Sequence, residues 1–460
     1  MQTRLLRRLT RRWRHVNQPN NTVSCTDGNA CTLNDICAAG SCTAGAAKNC
    51  GDSNTCTADN CDPSSGACSN PNLADYTACG GTNFCFGGVC QACLVWDKEA
   101  LATNGSELDG IAVDGTGLLG AGFKNTNNDD AWLRSANQYG TFSLDQVETG
   151  TDTDHFYSLA QDGSGNDWAA GETQSSGAGN YDGWLVKYNS AKVKQTAVTA
   201  GTNRADRWRR VIAVSSGGVV VVGQNQIAQN GNEDGWLQRY NSAGVAQWGA
   251  NGVSLTGSGD DILWGVTELA NGSFVAVGEI RTGSAGGRDG WFVPISAAGT
   301  IGTTKVHGTN NHESYQDVVQ LSDGTFIVVG WTQNSSGNGQ NGWIRKLSAA
   351  GDLVGTNELK PGGGANDRFL SAALLTTGDV IVVGYKDPSN LPRVGWAYKL
   401  TTASPIASAF DLVYAGTSGQ GEFRDVVALP AGGFGAVGTT TSNNRARMTK
   451  ADVNGKVSCP

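Results

Sequence analysis

The hydrophobic positions of this chain recur in a unit that is repeated seven times. Each unit contains an apolar run that ends in Gly and, ten to thirteen residues later, a Trp in a second apolar run. Successive Trp positions lie 52 to 55 residues apart, and Met replaces Trp in the last unit. A repeat of this length is typical of β-propellers, in which each unit builds one blade. The seven pairs are Gly122/Trp132, Gly171/Trp184, Gly223/Trp236, Gly278/Trp291, Gly330/Trp343, Gly384/Trp396 and Gly438/Met448.

Four short strands are predicted in each unit. In the fourth unit they fall on the segments DDILWGVTEL, SFVAVG, DGWFVPI and TIGTTKV, which are separated by the turns ANG and SAAG and by one longer Gly-rich loop. The second strands, such as VVVVG and FIVVG, are apolar at consecutive positions, as expected of strands in a sheet that is covered on both faces. We therefore predict an all-β fold, a seven-bladed β-propeller with four-stranded blades, over residues 94–460.

The two ends of the repeat region complement each other. The last unit has no fourth strand, whereas the segment LVWDKEAL precedes the first unit and aligns Trp96 with Trp248 of a fourth strand. We therefore expect LVWDKEAL to lie in the same blade as the C-terminal segment GKVSCP. The Trp residues of the third strands are expected to be buried as a structural seam, at Trp132, Trp184, Trp236, Trp291, Trp343 and Trp396.

Twelve of the thirteen cysteines lie between Cys25 and Cys93, in a segment with few large apolar residues. Disulfides are the expected staple of such a segment, which makes residues 22–93 a disulfide-rich, loop-rich module and places the protein in an oxidising compartment. Zinc is disfavoured because paired C-x2-C knuckles are missing and His is scarce. We predict that the remaining cysteine, Cys459, forms a bridge with Cys93. At least one module cysteine is then unpaired or intermolecular.

Residues 1–21 form a basic tail with six Arg and no acidic residue, although the whole chain has a net charge of −8. On a helix, Arg and apolar residues would lie on different faces, a pattern compatible with an anionic membrane surface. Because no apolar signal-peptide core follows, we expect the start to be truncated or misassigned and the export signal to lie outside this chain. The acidic remainder argues against a nucleic-acid partner and favours cations or neutral polar ligands.

The units resemble the tandem propeller repeats of secreted bacterial proteins. The resemblance is carried by a strand ending in Val-Gly, a polar loop, an Asp-Gly-Trp strand and an Asn-Ser-Ala-Gly turn, here VVVVG with DGWLQRYNSAG and FVAVG with DGWFVPISAAG. The segments CTDGNACTLNDIC and CTADNCDPSSGAC are similar to disulfide-rich repeats that environmental bacteria attach to extracellular proteins. These resemblances cover nearly all of residues 22–460. They imply a secreted or cell-surface propeller protein and assign no ligand residue.

Acidic residues recur seventeen residues before the Gly of the second strand. The long loops of the repeat are predicted to emerge on one face, so these acids are expected near the mouth of the central channel. A ring of carboxylates there would suit a hard cation such as calcium. The alternative is that each acid accepts backbone hydrogen bonds at a blade boundary. The acids are Asp154, Asp206, Asp261, Glu313 and Asp367.

The residue after the Gly of the second strand differs between units and is aromatic at Phe123, Trp331 and Tyr385. Units five and six are neighbours, so Trp331 and Tyr385 are predicted to lie side by side at the loop face. Aromatic faces among Asn, Gln, Ser and Thr suit sugars, whose C–H faces stack while their hydroxyls form hydrogen bonds. The alternative is that these rings anchor their own loops.

The chain carries none of the common catalytic motifs, such as G-x-S-x-G, H-E-x-x-H or a P-loop. It also has no apolar stretch of transmembrane length. We therefore expect an extracellular or cell-surface binding or adhesion protein that engages a glycan or a protein ligand through its long-loop face. The alternative is a propeller hydrolase or lyase that acts on polysaccharide with two carboxylates, because such a pair leaves no sequence motif.

Overall fold

The structure is a computed structural model in which the chain divides into two compact units between Cys93 and Leu94. The basic tail predicted at residues 1–21 lies outside the described residues. Within the described ranges, no helix is long and apolar enough to cross a membrane. The described residues are 23–81, 83–100, 105–126, 128–227, 231–257, 259–281, 287–333, 339–363, 365–388, 392–414, 421–440 and 445–459.

The first unit consists of short strands linked by disulfides. The strands are β1 Thr32–Leu33, β2 Ile36–Ala38, β3 Ser41–Thr43, β4 Ala46–Ala47, β5 Asn60–Cys61, β6 Cys68–Ser69, β7 Ala78–Gly80, β8 Asn83–Phe86 and β9 Val89–Ala92. The described disulfides are Cys25–Cys42, Cys31–Cys61, Cys50–Cys68, Cys56–Cys85 and Cys79–Cys90. The disulfide-rich character predicted for this region is confirmed, and it indicates an oxidising environment.

Three cysteines lie outside those five pairs. Cys37 is a free thiol of intermediate exposure. Cys93 and Cys459 are both disulfide-bonded. The bridge between them stays a prediction.

Seven four-stranded antiparallel sheets make up the described part of the second unit. In six of them, four consecutive strands pair in chain order, and we name their positions A, B, C and D. Sheet 1 contains β11 Ser106–Asp114, β12 Gly117–Asn125, β13 Asp129–Ala136 and β14 Phe142–Glu148; sheet 2 contains β15 Asp154–Gln161, β16 Asp167–Thr173, β17 Asp182–Tyr188 and β18 Lys194–Ala200; sheet 3 contains β19 Arg207–Ala213, β20 Val219–Asn225, β21 Asp234–Tyr240 and β22 Val253–Leu255.

The next three sheets have the same order. Sheet 4 contains β23 Ile262–Glu268, β24 Phe274–Arg281, β25 Arg288–Ile295 and β26 Lys305–His307; sheet 5 contains β27 Glu313–Gln320, β28 Phe326–Gln333, β29 Gln340–Leu347 and β30 Leu353–Leu359; sheet 6 contains β31 Arg368–Leu374, β32 Val380–Lys386, β33 Val394–Thr401 and β34 Ala407–Tyr414.

Sheet 7 is built from both ends of the unit. Strands β35 Gly421–Ala428, β36 Phe434–Thr440 and β37 Arg445–Ala451 take positions A, B and C, and β10 Trp96–Glu99 takes position D by antiparallel pairing with β37. Sheet 7 differs from the other sheets in the residue that pairs with its strand-B Gly. Gly438 pairs with Arg447, whereas Met448 pairs with Val437. The connection between β36 and β37 sets a register one residue shorter than in sheet 1, so Gly438 and Met448 are not cross-strand partners.

A β-bulge explains the repeated Gly of strand B. In every sheet the pairing between strands A and B skips one residue of strand A. The distortion brings a strand-A carbonyl close to the Gly, so a Cβ at Gly223 would collide with the carbonyl oxygen of Arg207. Each of the other six Gly residues faces the same collision with its own strand A. Only Gly fits a backbone approach this close.

In sheets 2, 3, 5 and 6 the Trp of strand C stacks on an aromatic residue of strand A across this Gly. Trp208 and Trp236 both pair with Gly223, and their ring centroids lie 3.5 Å apart. A Cβ at Gly183, in the Asp-Gly-Trp motif of sheet 2, would crowd both of these rings. The stack therefore packs directly against the preceding sheet. All the predicted seam residues are buried: Trp132, Trp184, Trp236, Trp291, Trp343 and Trp396.

The core lies between successive sheets. Each described hydrophobic cluster combines residues of two neighbouring sheets. One cluster joins sheet 7 to sheet 1 through Val437, Met448 and Leu108. Burial on both faces accounts for the consecutive apolar residues of the B strands. The prediction of an all-β fold with four-stranded antiparallel sheets is confirmed.

Candidate functional site

The residue that bulges out of each strand A is the common element of the candidate site. The residue before it packs into the sheet and is buried, whereas the bulged residue itself is partly exposed in six of the seven sheets. Bulges re-aim a side chain and are frequent beside functional sites. The bulge residues differ widely in chemistry. In order of sheets 1 to 7 they are Asp109, Tyr157, Arg209, Trp264, Gln316, Leu370 and Arg424.

One residue further along strand A, side chains from four sheets meet. Arg210 donates hydrogen bonds to Asp425 at 2.7 Å and to Asp317 at 2.9 Å. The Ser371 hydroxyl lies within 3.0 Å of both carboxylates. These residues belong to sheets 3, 5, 6 and 7, so the A strands of these four sheets converge at this point. This ionic network lies beneath the layer of bulge residues.

The bulge residues of sheets 2, 3 and 4 form one group of aromatic and cationic side chains, Tyr157, Arg209 and Trp264. The Arg209 guanidinium lies 4.8 Å from the ring centroid of Tyr157 and 5.0 Å from that of Trp264. Arg209 Nε donates to the amide oxygen of Gln224 at 2.9 Å. The Tyr157 hydroxyl donates to Glu172 at 2.7 Å, and burial together with the Glu172 charge raises the pKa of this phenol. Tyr157 is therefore a hydrogen-bond donor and not a base.

A pocket of about 460 Å³ adjoins Trp264. This volume lies in the range of small-molecule sites, which combine an aromatic surface with a few polar groups. The indole Nε1 of Trp264 is buried and has no hydrogen-bond partner in the part of the chain that the structure describes. Gln316, the bulge residue of the next sheet, also contributes to the wall. The remaining lining residues are Glu279, Arg281, Arg288, His312, Trp331, Gln340 and Arg368.

A charged group occupies another part of the bulge layer. Arg424 Nη2 lies 3.0 Å from Glu107 and 2.7 Å from Glu422, and Arg424 Nη1 lies 3.4 Å from Asp109. Burial raises the pKa of Asp109 to about 7, although the Arg424 charge opposes the shift. Asp109 therefore binds a proton much more tightly than an exposed carboxylate. Three carboxylates around one arginine could also support acid–base chemistry.

Two of the aromatic residues predicted for ligand binding lie under arginines. Trp331 is 7 % exposed, and the Arg368 guanidinium lies 4.5 Å from its ring centroid. Tyr385 is 6 % exposed, and Arg393 lies 3.8 Å from its ring. Both rings lie near the end of a strand B, where the chain enters the loop to strand C, and we call this end of the sheets the loop end. Each ring supports a guanidinium group there, and Trp331 also lines the pocket.

The third predicted residue, Phe123, stacks on His155 with ring centroids 4.3 Å apart. The structure therefore adds the strand-A bulge residues to the candidate site. The most important of them is Trp264, which the sequence prediction did not include. A signal was present in the sequence. The third residue after each repeated acid varies in chemistry from unit to unit, and this position holds Trp264 and Arg209.

The five repeated acids bind their own loops. Asp206, for example, accepts hydrogen bonds from the backbone N–H of Gln226 at 2.8 Å and from the Thr202 hydroxyl at 3.0 Å. All are buried and accept similar loop contacts: Asp154, Asp206, Asp261, Glu313 and Asp367. These are the contacts of the alternative interpretation, in which the acids satisfy backbone donors. Among the described residues, no three carboxylates are close enough to share an ion, and the calcium ring stays a prediction.

One group of three cysteine sulfurs does come together, at Cys56, Cys79 and Cys90. Cys56 is bonded to Cys85, and Cys79 is bonded to Cys90. Thiolate is the form of cysteine that binds metal, and disulfide sulfur is not available for it. This group is therefore a pair of neighbouring disulfides.

Comparisons with known proteins show the fold. No protein-family model and no curated protein matches the chain. The periplasmic gluconolactonase of Pseudomonas aeruginosa is 12 % identical, with a TM-score of 0.51 over 74 % of this chain and 93 % of its own. A puromycin hydrolase is 12 % identical, with a TM-score of 0.48 over 77 % of this chain and 53 % of its own. YCF48 bound to a D1 peptide is 12 % identical, with a TM-score of 0.46 over 78 % and 95 %. The fold is β-propeller-like, as predicted.

Proposed function

We propose that the second unit is a closed seven-bladed β-propeller that binds a glycan at its loop-end face, in a bacterial protein secreted or held at the cell surface. The seven four-stranded sheets, the pairing of β10 with β37 and the core cluster between sheets 7 and 1 support the closed ring. The disulfides of the first unit support a location outside the reducing cytosol.

The observation that carries the glycan proposal is the pocket beside Trp264. A partly exposed indole meets a cavity of about 460 Å³ that also contains amide, imidazole, carboxylate and guanidinium groups. A sugar ring needs this combination, because one face stacks on an aromatic surface while its hydroxyls need donors and acceptors. Trp264 stands on strand β23 with Arg209 5.0 Å from its ring. A side chain held in place in this way loses little entropy when a ligand binds.

The test is binding of the whole chain to a glycan array, followed by titration calorimetry with the best ligand. Trp264→Ala should weaken binding by roughly tenfold or more, as expected for an aromatic residue at the centre of a site. Leu370→Ala is the matched control, since Leu370 takes the same bulge position in sheet 6 without a polar or aromatic group. Loss of binding in both variants, or in neither, would contradict the assignment to this pocket. A protein ligand with no glycan binding would contradict the ligand class.

The second candidate is the hydrolase or lyase activity, and the charged group around Arg424 favours it. Asp109, whose pKa is raised to about 7, is suited to donate a proton near neutral pH. Glu107 and Glu422 lie on the same guanidinium and supply the second carboxylate that glycoside cleavage requires.

Release of reducing sugar from polysaccharide tests this candidate. Asp109→Asn should lower the rate by at least about a hundredfold, because general acid catalysis contributes roughly that much or more. The rate of the unchanged protein should fall above pH 7, where Asp109 loses its proton. A rate that is unaffected by Asp109→Asn would exclude this carboxyl as the acid. Binding of glycan without any cleavage would leave the binding function alone.

A further inference from the structure

We propose that the ligand of the Trp264 pocket carries an anionic group, a carboxylate or a sulfate on the sugar, and that Arg368 and Arg209 bind it. This inference rests on the glycan-binding function proposed above and specifies the class of sugar. It concerns two guanidinium groups whose bonding differs from that of the other arginines on the same face.

Most arginines at the loop end are neutralised by carboxylates. Arg207 pairs with Glu172 and Glu233, Arg288 with Glu279 and Asp260, Arg393 with Asp387 and Glu422, and Arg424 with Glu107, Asp109 and Glu422. Among the described lining residues the one carboxylate is Glu279, and it is already occupied by Arg288.

Arg368 and Arg209 are bonded differently. Among the described residues neither forms a salt bridge. Arg368 Nε donates to the amide oxygen of Gln340, and Arg209 Nε donates to that of Gln224. Each guanidinium instead lies over an aromatic ring, Arg368 over Trp331 at 4.5 Å and Arg209 between Trp264 and Tyr157. Their Nη atoms form no hydrogen bond with the described part of the chain.

This arrangement prepares both groups for an oxyanion. A guanidinium presents its N–H groups as a planar fork that matches the two oxygens of a carboxylate or sulfate. Stacking on a ring fixes the plane of the fork, and the Gln amide fixes its rotation, so less entropy is lost when the anion binds. The chain as a whole has a net charge of −8. Arg368 lines the pocket, and Arg209 lies 5.0 Å from the ring centroid of Trp264, which adjoins it. Two guanidinium groups without a salt bridge so close together are therefore a local exception, which favours an anion there over its neutral analogue.

Binding of matched oligosaccharides tests the proposal. The probes are a uronic acid oligosaccharide, its carboxyl-reduced neutral counterpart and the sulfated form of that neutral sugar, each titrated against the full chain. We expect at least tenfold tighter binding of one or both acidic forms than of the neutral form, and the two acidic arms distinguish carboxylate from sulfate. The preference should decline with added salt, since part of it is electrostatic.

Variants separate this proposal from the function on which it rests. Arg368→Gln should remove most of the acidic preference, with a much smaller loss of affinity for the neutral sugar than for the acidic forms, whereas Trp264→Ala should weaken all three to a similar degree. Arg239→Gln is the control, because Arg239 bonds to Ala297 and Ser216 away from the pocket. Equal binding of neutral and acidic sugars would overturn the anionic proposal alone. Absence of binding to all three, or binding of an acidic peptide in their place, would overturn the glycan function with it.

Discussion

Trp208 and Trp236 stack across Gly223, with ring centroids 3.5 Å apart and planes inclined by 16°. The same Gly pairs with both residues, one on each neighbouring strand. Because a Cβ at Gly223 would strike the Arg207 carbonyl, the missing side chain and the bulge depend on each other. The recurring Gly and Trp of the sequence are thus two parts of one packing arrangement.

Replacement of that Gly should be costly. Gly223→Ala would force strands β19 and β20 apart, and we expect a loss of at least about 3 kcal/mol in the free energy of unfolding, the size associated with overpacking and backbone strain. Urea unfolding followed by Trp fluorescence measures it. Gly163→Ala is the matched control, since no atom lies within 4 Å of its Cβ position. Its cost should stay within about 0.5 kcal/mol, and equal costs at both sites would refute this account of the repeat.

Truncation of a strand-C Trp should cost more stability than truncation of the strand-B Trp that lines the pocket. Trp236→Ala removes a fully buried ring from a stack and should cost about 3–5 kcal/mol. Trp331→Ala should cost less, about 1–3 kcal/mol, because one face of its ring packs against the Arg368 guanidinium. Calorimetric melting compares the two variants. If glycan binding is found, Trp331→Ala should weaken it through loss of support for Arg368, and unchanged affinity would show that the ring has only a structural role.

Asp109 should make stability depend on pH. Its pKa is raised to about 7 in the folded protein, against about 3.9 in an unfolded chain. Between these values the folded state keeps a proton that the unfolded state releases. The contribution of Asp109 is therefore fully present below about pH 4 and is lost as the pH rises to about 7. The stability of Asp109→Asn relative to the unchanged protein should increase over this range in urea titrations. A constant difference for Asp109→Asn would contradict the shift.

The ionic network beneath the bulges should be sensitive to loss of its only arginine. Arg210→Met leaves the buried carboxylates of Asp317 and Asp425 without a cation, and we expect a loss of about 3–5 kcal/mol. Adding Asp317→Asn and Asp425→Asn to the same chain should recover part of this loss, because the unpaired charges are then gone. Chemical unfolding of the single and triple variants provides the measurement. A triple variant less stable than Arg210→Met would show that charge is not the cause.

Reducing agent should act on the first unit alone. Its short strands give it little apolar core, so loss of the disulfides should make residues 25–93 sensitive to protease. The sheets of the second unit are stabilised by apolar burial and should stay resistant. Limited proteolysis with mass analysis compares the two conditions, and non-reducing peptide mapping tests the predicted Cys93–Cys459 link. Equal resistance with and without reductant, or a Cys93 peptide joined to another partner, would contradict these expectations.

The frame of the fold could be predicted from the sequence because backbone contacts demand particular residues. A carbonyl close to strand B excludes every residue except Gly, and the stack across it selects an aromatic residue, so both recur at a fixed spacing. The bulge itself could not be predicted in this way. It adds one residue to strand A and reverses the facing of every side chain beyond it, and alternation along a regular strand gives no hint of this.

The same displacement explains why the sequence prediction, which named residues of strand B, did not include Trp264 of strand A. Counting from the strand-B Gly placed Trp331 and Tyr385 at the surface, but both are buried under arginines. Trp264 is partly exposed and follows Leu263, which is buried. On a regular strand buried and exposed residues alternate, so this pattern alone does not distinguish Trp264 from any solvent-facing residue. Only the register between β23 and β24 shows that Trp264 is the extra residue.

The bulges allow the surface chemistry of the repeats to evolve independently of their fold. In six of the seven repeats, all except the first with its buried Asp109, the residues that the backbone requires are neighbours of one partly exposed position at which the side chains differ. After duplication of a repeat, that position can diverge without any compensating change in the core. A library randomised at the seven bulge residues should therefore contain many more folded members than one randomised at the buried residues that precede them. Selection from such a library should yield variants that bind other ligands through changes at one residue in each repeat.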